Sequence, residues 1–167
     1  MQRQSLQHTI DPIFDERSQV LMLGSFPSPK SREIGFYYGH PQNRMWKVLP
    51  AVFGVDEVLD TNEKREAFLH EQGIAMWDVI ASCTIEGASD ASIRDVVPND
   101  LSRIFRVARI EQVFTTGAKA TELYRRYQLP FYGMEPCKLP STSAANASWS
   151  LERLVDAYRV IPAALKE

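Results

Sequence analysis

Gln19-Val20-Leu21-Met22-Leu23-Gly24 is an apolar run closed by a glycine. It empties into Ser25-Phe26-Pro27-Ser28-Pro29-Lys30-Ser31-Arg32-Glu33-Ile34-Gly35-Phe36-Tyr37-Tyr38-Gly39-His40-Pro41-Gln42-Asn43-Arg44-Met45-Trp46. The run reads as a buried strand, and the segment after it is too long and too aromatic for a simple connection. A rigid strand end that positions a loop rich in Gly, Pro, Tyr, His and Asn is a common way to build a site.

The same pattern recurs outward from this strand. Arg44 to Phe53 reads as a helix, with Pro50 predicting a kink or an early end, and Glu63 to Gln72 as a second helix stopped by Gly73. Ile74 to Ile80 reads as a mostly buried strand, Thr84 to Asn99 as a polar loop, and Leu101 to Ala108 as a helix. Ile110 to Thr116 is a third strand, turned by Gly117 into a helix reaching Tyr127. A strand over Met134 to Leu139, a loop at Pro140-Ser141-Thr142-Ser143 and a helix over Leu151 to Val160 close the chain. Strands alternating with helices predict an α/β fold with a mainly parallel sheet covered on both faces. Residues 1–10 are expected to be an N-terminal tail, loose to about Gln7, and 11–167 a single domain.

The bulk numbers exclude several classes. The chain has 167 residues, 44% hydrophobic and 24% charged, with a net charge of −2. Any contact with nucleic acid must therefore come from a local basic surface rather than from overall charge. Two cysteines, Cys83 and Cys137, and three histidines, His8, His40 and His70, show no ligand spacing, so no metal or other cofactor is expected. No signal peptide or membrane-length apolar stretch is visible, which makes the cytoplasm the expected compartment.

The strand ends should gather three segments: the loop after Gly24, the residues after Ile80, and the turn from Leu139 to Ser143. Their side chains do not form a Walker loop, a nucleophile elbow or a paired-carboxylate magnesium site. What remains is aromatic and amide-rich, suited to stacking on a flat ring and to hydrogen-bonding a base edge or a water.

Gly24-Ser25-Phe26-Pro27-Ser28, Gly39-His40-Pro41-Gln42-Asn43-Arg44-Met45-Trp46 and Leu139-Pro140-Ser141-Thr142-Ser143 together resemble the uracil-DNA glycosylase superfamily. The resemblance is most specific to its hypoxanthine-DNA glycosylase (DNA-deoxyinosine glycosylase) branch. The mismatch-specific branch is more loosely similar; it shares the His-Pro-x-Asn-Arg segment and the closing helix, here Leu151 to Tyr158. The likeness runs from about Val20 to Val160. It implies a three-layer α/β/α sandwich around a four-stranded parallel sheet. It also implies a monofunctional enzyme that flips a deaminated base, foremost hypoxanthine, from double- or single-stranded DNA and hydrolyses its glycosidic bond. No cofactor and a monomeric protein away from membranes are expected with it.

In the mismatch branch the motif after the first strand carries a water-supporting Asn, and Phe26 stands at that position here. The resemblance to the hypoxanthine branch assigns the catalytic amide to Asn43 instead. It assigns stacking on the base to Tyr38, with Tyr37 as competitor, and base contacts to Ser25, Phe26 and His40. DNA contacts fall on Ser28 and Lys30, and on Pro140, Ser141, Thr142 and Ser143 of the loop that holds the gap left by the flipped base.

Each residue also has a plainer structural reading. Asn43 suits a helix cap, His40 a loop brace, Asp78 a structural carboxylate, and the Ser/Thr turn a helix cap. Removal of uracil or xanthine, and a non-catalytic protein that binds damaged DNA, stay open as alternatives.

Overall fold

In the computed structural model, which describes residues 3–86 and 89–165, the elements follow in chain order as follows. They are β1 (Gln4–Gln7), β2 (Val20–Gly24), α1 (Pro29–Ile34), α2 (Met45–Phe53), α3 (Asn62–Gln72), β3 (Ile74–Asp78), β4 (Ile80–Ile85) and β5 (Arg94–Pro98). Then come α4 (Ser102–Phe105), β6 (Gln112–Thr116), α5 (Ala118–Tyr127), α6 (Leu129–Tyr132), β7 (Pro136–Leu139), α7 (Leu151–Tyr158) and α8 (Val160–Ala164).

Four strands form a parallel sheet in the order β3-β2-β6-β7. Every residue of β2 and β3 is buried. Since successive strand residues point to opposite faces, both faces of the sheet must be covered, as parallel sheets require. The result is the three-layer α/β/α sandwich, with Leu21, Met22, Leu23, Met76 and Phe114 among its most deeply buried side chains.

Register decides where the chemistry falls. Gly24 lies opposite Asp78 on β3, and Thr116 lies opposite Leu139 on β7. The C-terminal ends of all four strands therefore share one edge of the sheet.

A second sheet, antiparallel in the order β1-β4-β5, was not foreseen. The segment expected to be a loose tail pairs from Gln4 opposite Ile85 to Gln7 opposite Ser82. Its side chains are mostly exposed, so backbone bonds rather than an apolar alternation hold it, and periodicity could not reveal it. The expected loop 84–99 contains β5 for the same reason: of its residues only Val96 and Pro98 are half-buried. The strand expected over 74–80 is broken at Val79. There the buried side chain of Asn99 donates to the carbonyls of Asp78 (2.9 Å) and Ile80 (3.1 Å).

Helix α2 continues through Pro50 to Phe53 and ends at Gly54, in the left-handed region at φ +67°. Five apolar residues besides Pro50 are buried along it, and it packs against α7, whose Ser150 hydroxyl caps its first turn. That burial offsets the one hydrogen bond that proline removes.

Candidate active site

At the shared strand edge lies a cavity of about 520 Å³, lined by residues 24–32, Tyr37, Tyr38, His40, Asn43, Asp78, Ile85, Asp90, Thr116, Ser141, Ser143 and Ala145. Polar atoms converge around Gly24 at its floor. A methyl group on Gly24 would stand 2.5 Å from Asp78 Oδ1, 3.1 Å from Tyr38 Oη and 3.6 Å from Thr116 Oγ1. Glycine is needed here for the close approach of these groups, not for backbone freedom.

Asp78 is held from behind. Its Oδ2 lies 2.8 Å from His8 Nε2, and the two side chains are only 5% and 3% exposed. His8 Nδ1 accepts the Ile10 amide at 3.3 Å, so the imidazole carries its proton on Nε2 and donates it to Asp78. Phe26 and Trp77 meet the His8 ring edge-on, at centroid distances of 5.9 and 6.3 Å. The other carboxylate oxygen, Oδ1, has no protein donor among the described residues.

The loop after Gly24 is ordered by its own hydroxyls. Ser28 caps α1 by accepting the Ser31 amide at 3.1 Å, and the buried Ser31 Oγ accepts the Gly39 amide at 2.9 Å. Trp46 Nε1 donates to the Tyr37 carbonyl at 3.0 Å. These anchors hold Tyr38 in the left-handed region at φ +52°, where a tyrosine is rarely found unless its surroundings impose it. Tyr38 Oη lies 2.8 Å from Thr116 Oγ1, which is itself 3.4 Å from the Leu23 carbonyl. Thr116 therefore donates to the carbonyl and accepts from Tyr38. Burial, reinforced by the Asp78 charge, pushes the Tyr38 phenol well above its usual pKa and keeps it a donor.

Asn43 stands one residue before Arg44, the N-cap of α2, rather than at the cap position expected for it, yet its side chain bonds the first amide of the helix. Its Oδ1 accepts the Met45 amide at 2.9 Å and the Thr142 hydroxyl at 2.8 Å. With both lone pairs committed, the amide nitrogen is the part left to serve a ligand. Arg44 ties the far loop to this point through the carbonyls of Thr142, Ser143, Asn146 and Trp149. Asn146 in turn donates to the Ser141 carbonyl at 3.0 Å.

Several expected site residues sit differently. Tyr37 is 1% exposed, with its hydroxyl 2.7 Å from the Asp11 carbonyl and its ring against Phe36 and His8, which leaves no free face for a base. Thr142 is 1% exposed and spends its hydroxyl on Asn43, so it braces the loop rather than facing DNA. Ser28 is a helix cap, and the Pro140 carbonyl accepts the Tyr158 hydroxyl at 2.6 Å. His40 is exposed and braces its own loop by accepting the Gln42 amide. Lys30 pairs with Glu33 at 3.5 Å. Ser25, half-buried, gives its carbonyl to the Ile80 amide at 3.1 Å, while Ser141 and Ser143 remain half-buried on the cavity wall.

Two residues central to this arrangement carried little signal. His8 lies in a polar stretch read as a tail, and Thr116 reads as a strand-to-helix turn; Arg44 belongs to the Gly39 to Trp46 motif, but its hold on the far loop was not expected. Among the described residues, no group of three or more His, Cys, Asp or Glu is placed to hold a metal, and no helix is long and apolar enough to cross a membrane.

A three-layer α/β/α sandwich with an aromatic, amide-lined cavity at the strand ends defines a class of enzyme scaffold. Within that class the chain belongs to the uracil DNA glycosylase superfamily, whose family model matches residues 12–162. It is 33% identical over 144 residues to a hypoxanthine DNA glycosylase from Methanosarcina acetivorans, covering 84% of this chain and 89% of that one. It is also 33% identical over 138 residues to a hypoxanthine DNA glycosylase from Methanosarcina barkeri, covering 81% and 85%. Its fold is similar to the solution NMR structure of a protein from Methanosarcina acetivorans proposed to be a uracil DNA glycosylase. The TM-score is 0.80 at 30% identity, with 95% of this chain and 98% of the other covered.

Proposed function

We propose that the chain is a monofunctional DNA glycosylase that hydrolyses the N-glycosidic bond of a deaminated base, hypoxanthine foremost. The cavity carries this reading. At about 520 Å³ it is large enough for a flipped base, and Asn43, whose amide nitrogen is uncommitted, and the Asp78 carboxylate both line it. The names of the two Methanosarcina relatives support hypoxanthine in particular.

The base leaves from an oxocarbenium-like sugar, so the enzyme must hold a water and exclude the rest of the solvent. Asn43 Nδ2–H donates to one lone pair of that water and leaves the other aimed at C1′. As the C1′–N9 bond breaks, the water oxygen bonds to C1′, the water gives up a proton, and the purine departs with its bonding pair and takes a proton. Tyr38, locked by Thr116, forms a fixed wall against the base. Lys30 and Arg32 flank the entrance, and Ser141 and Ser143 offer neutral donors to phosphates there.

A duplex with one deoxyinosine, treated with the protein and then with alkali, should be cut at the lesion. A folded protein that leaves this duplex intact would sink the hypoxanthine reading. The structural relative proposed to act on uracil favours a second substrate, so uracil and xanthine duplexes belong in the same panel. A binding protein without turnover would hold the damaged duplex and cleave none of them.

A further inference from the structure

We propose that Asp78, fixed by His8, is the residue that tells hypoxanthine from adenine, by accepting the N1–H that hypoxanthine carries and adenine lacks. This rests on the reading of the cavity as a site for deaminated bases, and goes beyond it by naming the group that discriminates.

Hypoxanthine and uracil share one feature that adenine, cytosine and unsubstituted purine lack; guanine and xanthine both carry it, so it does not separate that pair. Beside a ring carbonyl they present an N–H, at N1 of the purines or N3 of uracil. Adenine, unsubstituted purine and cytosine present a lone pair at the same place. A site that recognises the shared feature needs a fixed acceptor with no donor capacity, because a hydroxyl or an amide could turn to suit either pattern.

Asp78 meets that requirement through its neighbours. Oδ2 is engaged by His8 Nε2 at 2.8 Å, and Oδ1 borders the cavity floor beside Gly24 and Tyr38. His8 cannot exchange its tautomer freely, since Nδ1 accepts the Ile10 amide. Its ring makes T-shaped contacts with both Phe26 and Trp77. The backbone under Asp78 is pinned as well, by Asn99 at its carbonyl and by its place in β3 opposite Gly24. An acceptor buried this firmly attracts an N–H and repels a ring nitrogen's lone pair. Burial magnifies both effects.

The arrangement makes Asp78→Asn an inversion rather than a deletion. His8 Nε2–H would select the amide oxygen, which forces the new NH2 group into the place of Oδ1. The floor then offers a donor where it offered an acceptor, at nearly unchanged volume. A merely structural carboxylate would lower all rates alike.

The test measures single-turnover base release from duplexes carrying hypoxanthine, unsubstituted purine (2′-deoxynebularine) or adenine, for the parent chain and Asp78→Asn. The parent should strongly prefer hypoxanthine. The variant should lose about 10- to 100-fold on hypoxanthine and lose less, or gain, on the two bases with a lone pair at N1. An equal loss on all three, or no loss, overturns the assignment while leaving the glycosylase reading intact. A parent that releases none of the deaminated bases overturns the glycosylase reading and this one with it. Should Asp78→Asn fail to fold, the parent alone decides against N1-methylhypoxanthine: release at the hypoxanthine rate refutes the contact, and a loss of at least tenfold supports it.

Discussion

Asn43 has two ends with different tasks, and two substitutions separate them. Asn43→Ala removes both acceptor bonds of Oδ1. Loss of the bond to the Met45 amide costs about 1 kcal/mol. The Thr142 hydroxyl, in a residue 1% exposed, is left without its partner at a further cost of about 1–3 kcal/mol. A total of about 2–4 kcal/mol corresponds to a melting temperature lower by roughly 5–15 °C for a chain of this size. Asn43→Asp keeps an oxygen for each of these donors and should melt within about 2 °C of the parent. What Asp lacks is the N–H. If that N–H holds the attacking water, both variants lose about 100- to 1,000-fold in single-turnover release of hypoxanthine. Melting curves and alkaline cleavage of a deoxyinosine duplex measure the two effects independently. An Asp variant that works as fast as the parent, or faster, would refute the donor role and show that the group acts through an acceptor. An Asp variant as unstable as Ala would refute the account of Oδ1.

Other perturbations follow from the same geometry. Gly24→Ala places a methyl 2.5 Å from an Asp78 oxygen that His8 does not let retreat, so base release should fall about 100-fold with a stability loss of about 1–3 kcal/mol. Gly54→Ala, at φ +67° with open space around it, should cost about 1 kcal/mol and leave the rate unchanged, and equal activity losses for the two would defeat the steric argument. Arg44→Lys cannot reach the four carbonyls that the guanidinium serves, so the 142–149 loop should exchange amide hydrogens faster and the KM for damaged DNA should rise more than kcat falls. Burial pushes the Tyr124 phenol up to about 12 from 10.0, and Tyr37 and Tyr158 in the same direction. Because the folded state holds these protons more tightly than the unfolded chain, their contribution is complete below pH 10 and is lost as pH rises from 10 through 12. Urea midpoints should accordingly be flat from pH 7 to 9 and fall above pH 10, and a midpoint unchanged at pH 11 would contradict this.

The parallel sheet was legible because its strands must be buried on both faces, which writes them as unbroken apolar runs such as Val20 to Leu23 and Ile74 to Trp77. The helix stopped by Gly73 and the one opened by Gly117 were legible from those glycines. The antiparallel sheet was not. Gln4-Ser5-Leu6-Gln7 has one apolar residue, and its strand exists only because Ser82 to Ile85 offers backbone partners far along the chain. The site divides in the same way. Asn43 and Tyr38 sit in a segment that advertises itself, whereas the partners that give them geometry, Thr142 and Thr116, are ordinary hydroxyl residues about 99 and 78 positions away. Short polar side chains acquire meaning only from the atoms opposite them, and sequence spacing carries no record of that pairing.

Phe26 shows how this changes a functional argument. Read along the chain, an aromatic at this position marks the loss of an amide that related motifs use to support water. In the folded protein its ring stands edge-on to His8 and lies under the Arg32 guanidinium at 5.8 Å. An amide side chain there would offer the His8 ring a polar partner, and a rotated imidazole could no longer be relied on to donate to Asp78. An apolar wall leaves His8 only two hydrogen bonds to make, to Ile10 and to Asp78, and so fixes the carboxylate. With water positioning proposed at Asn43, an apolar residue at position 26 thus also leaves the floor of the cavity to a rigid acceptor. Phe26→Asn should therefore not restore a second catalytic amide; it should loosen His8 and weaken the preference for hypoxanthine over unsubstituted purine. The ratio of the two release rates measures this directly, and a ratio equal to the parent's would break the link between Phe26 and Asp78.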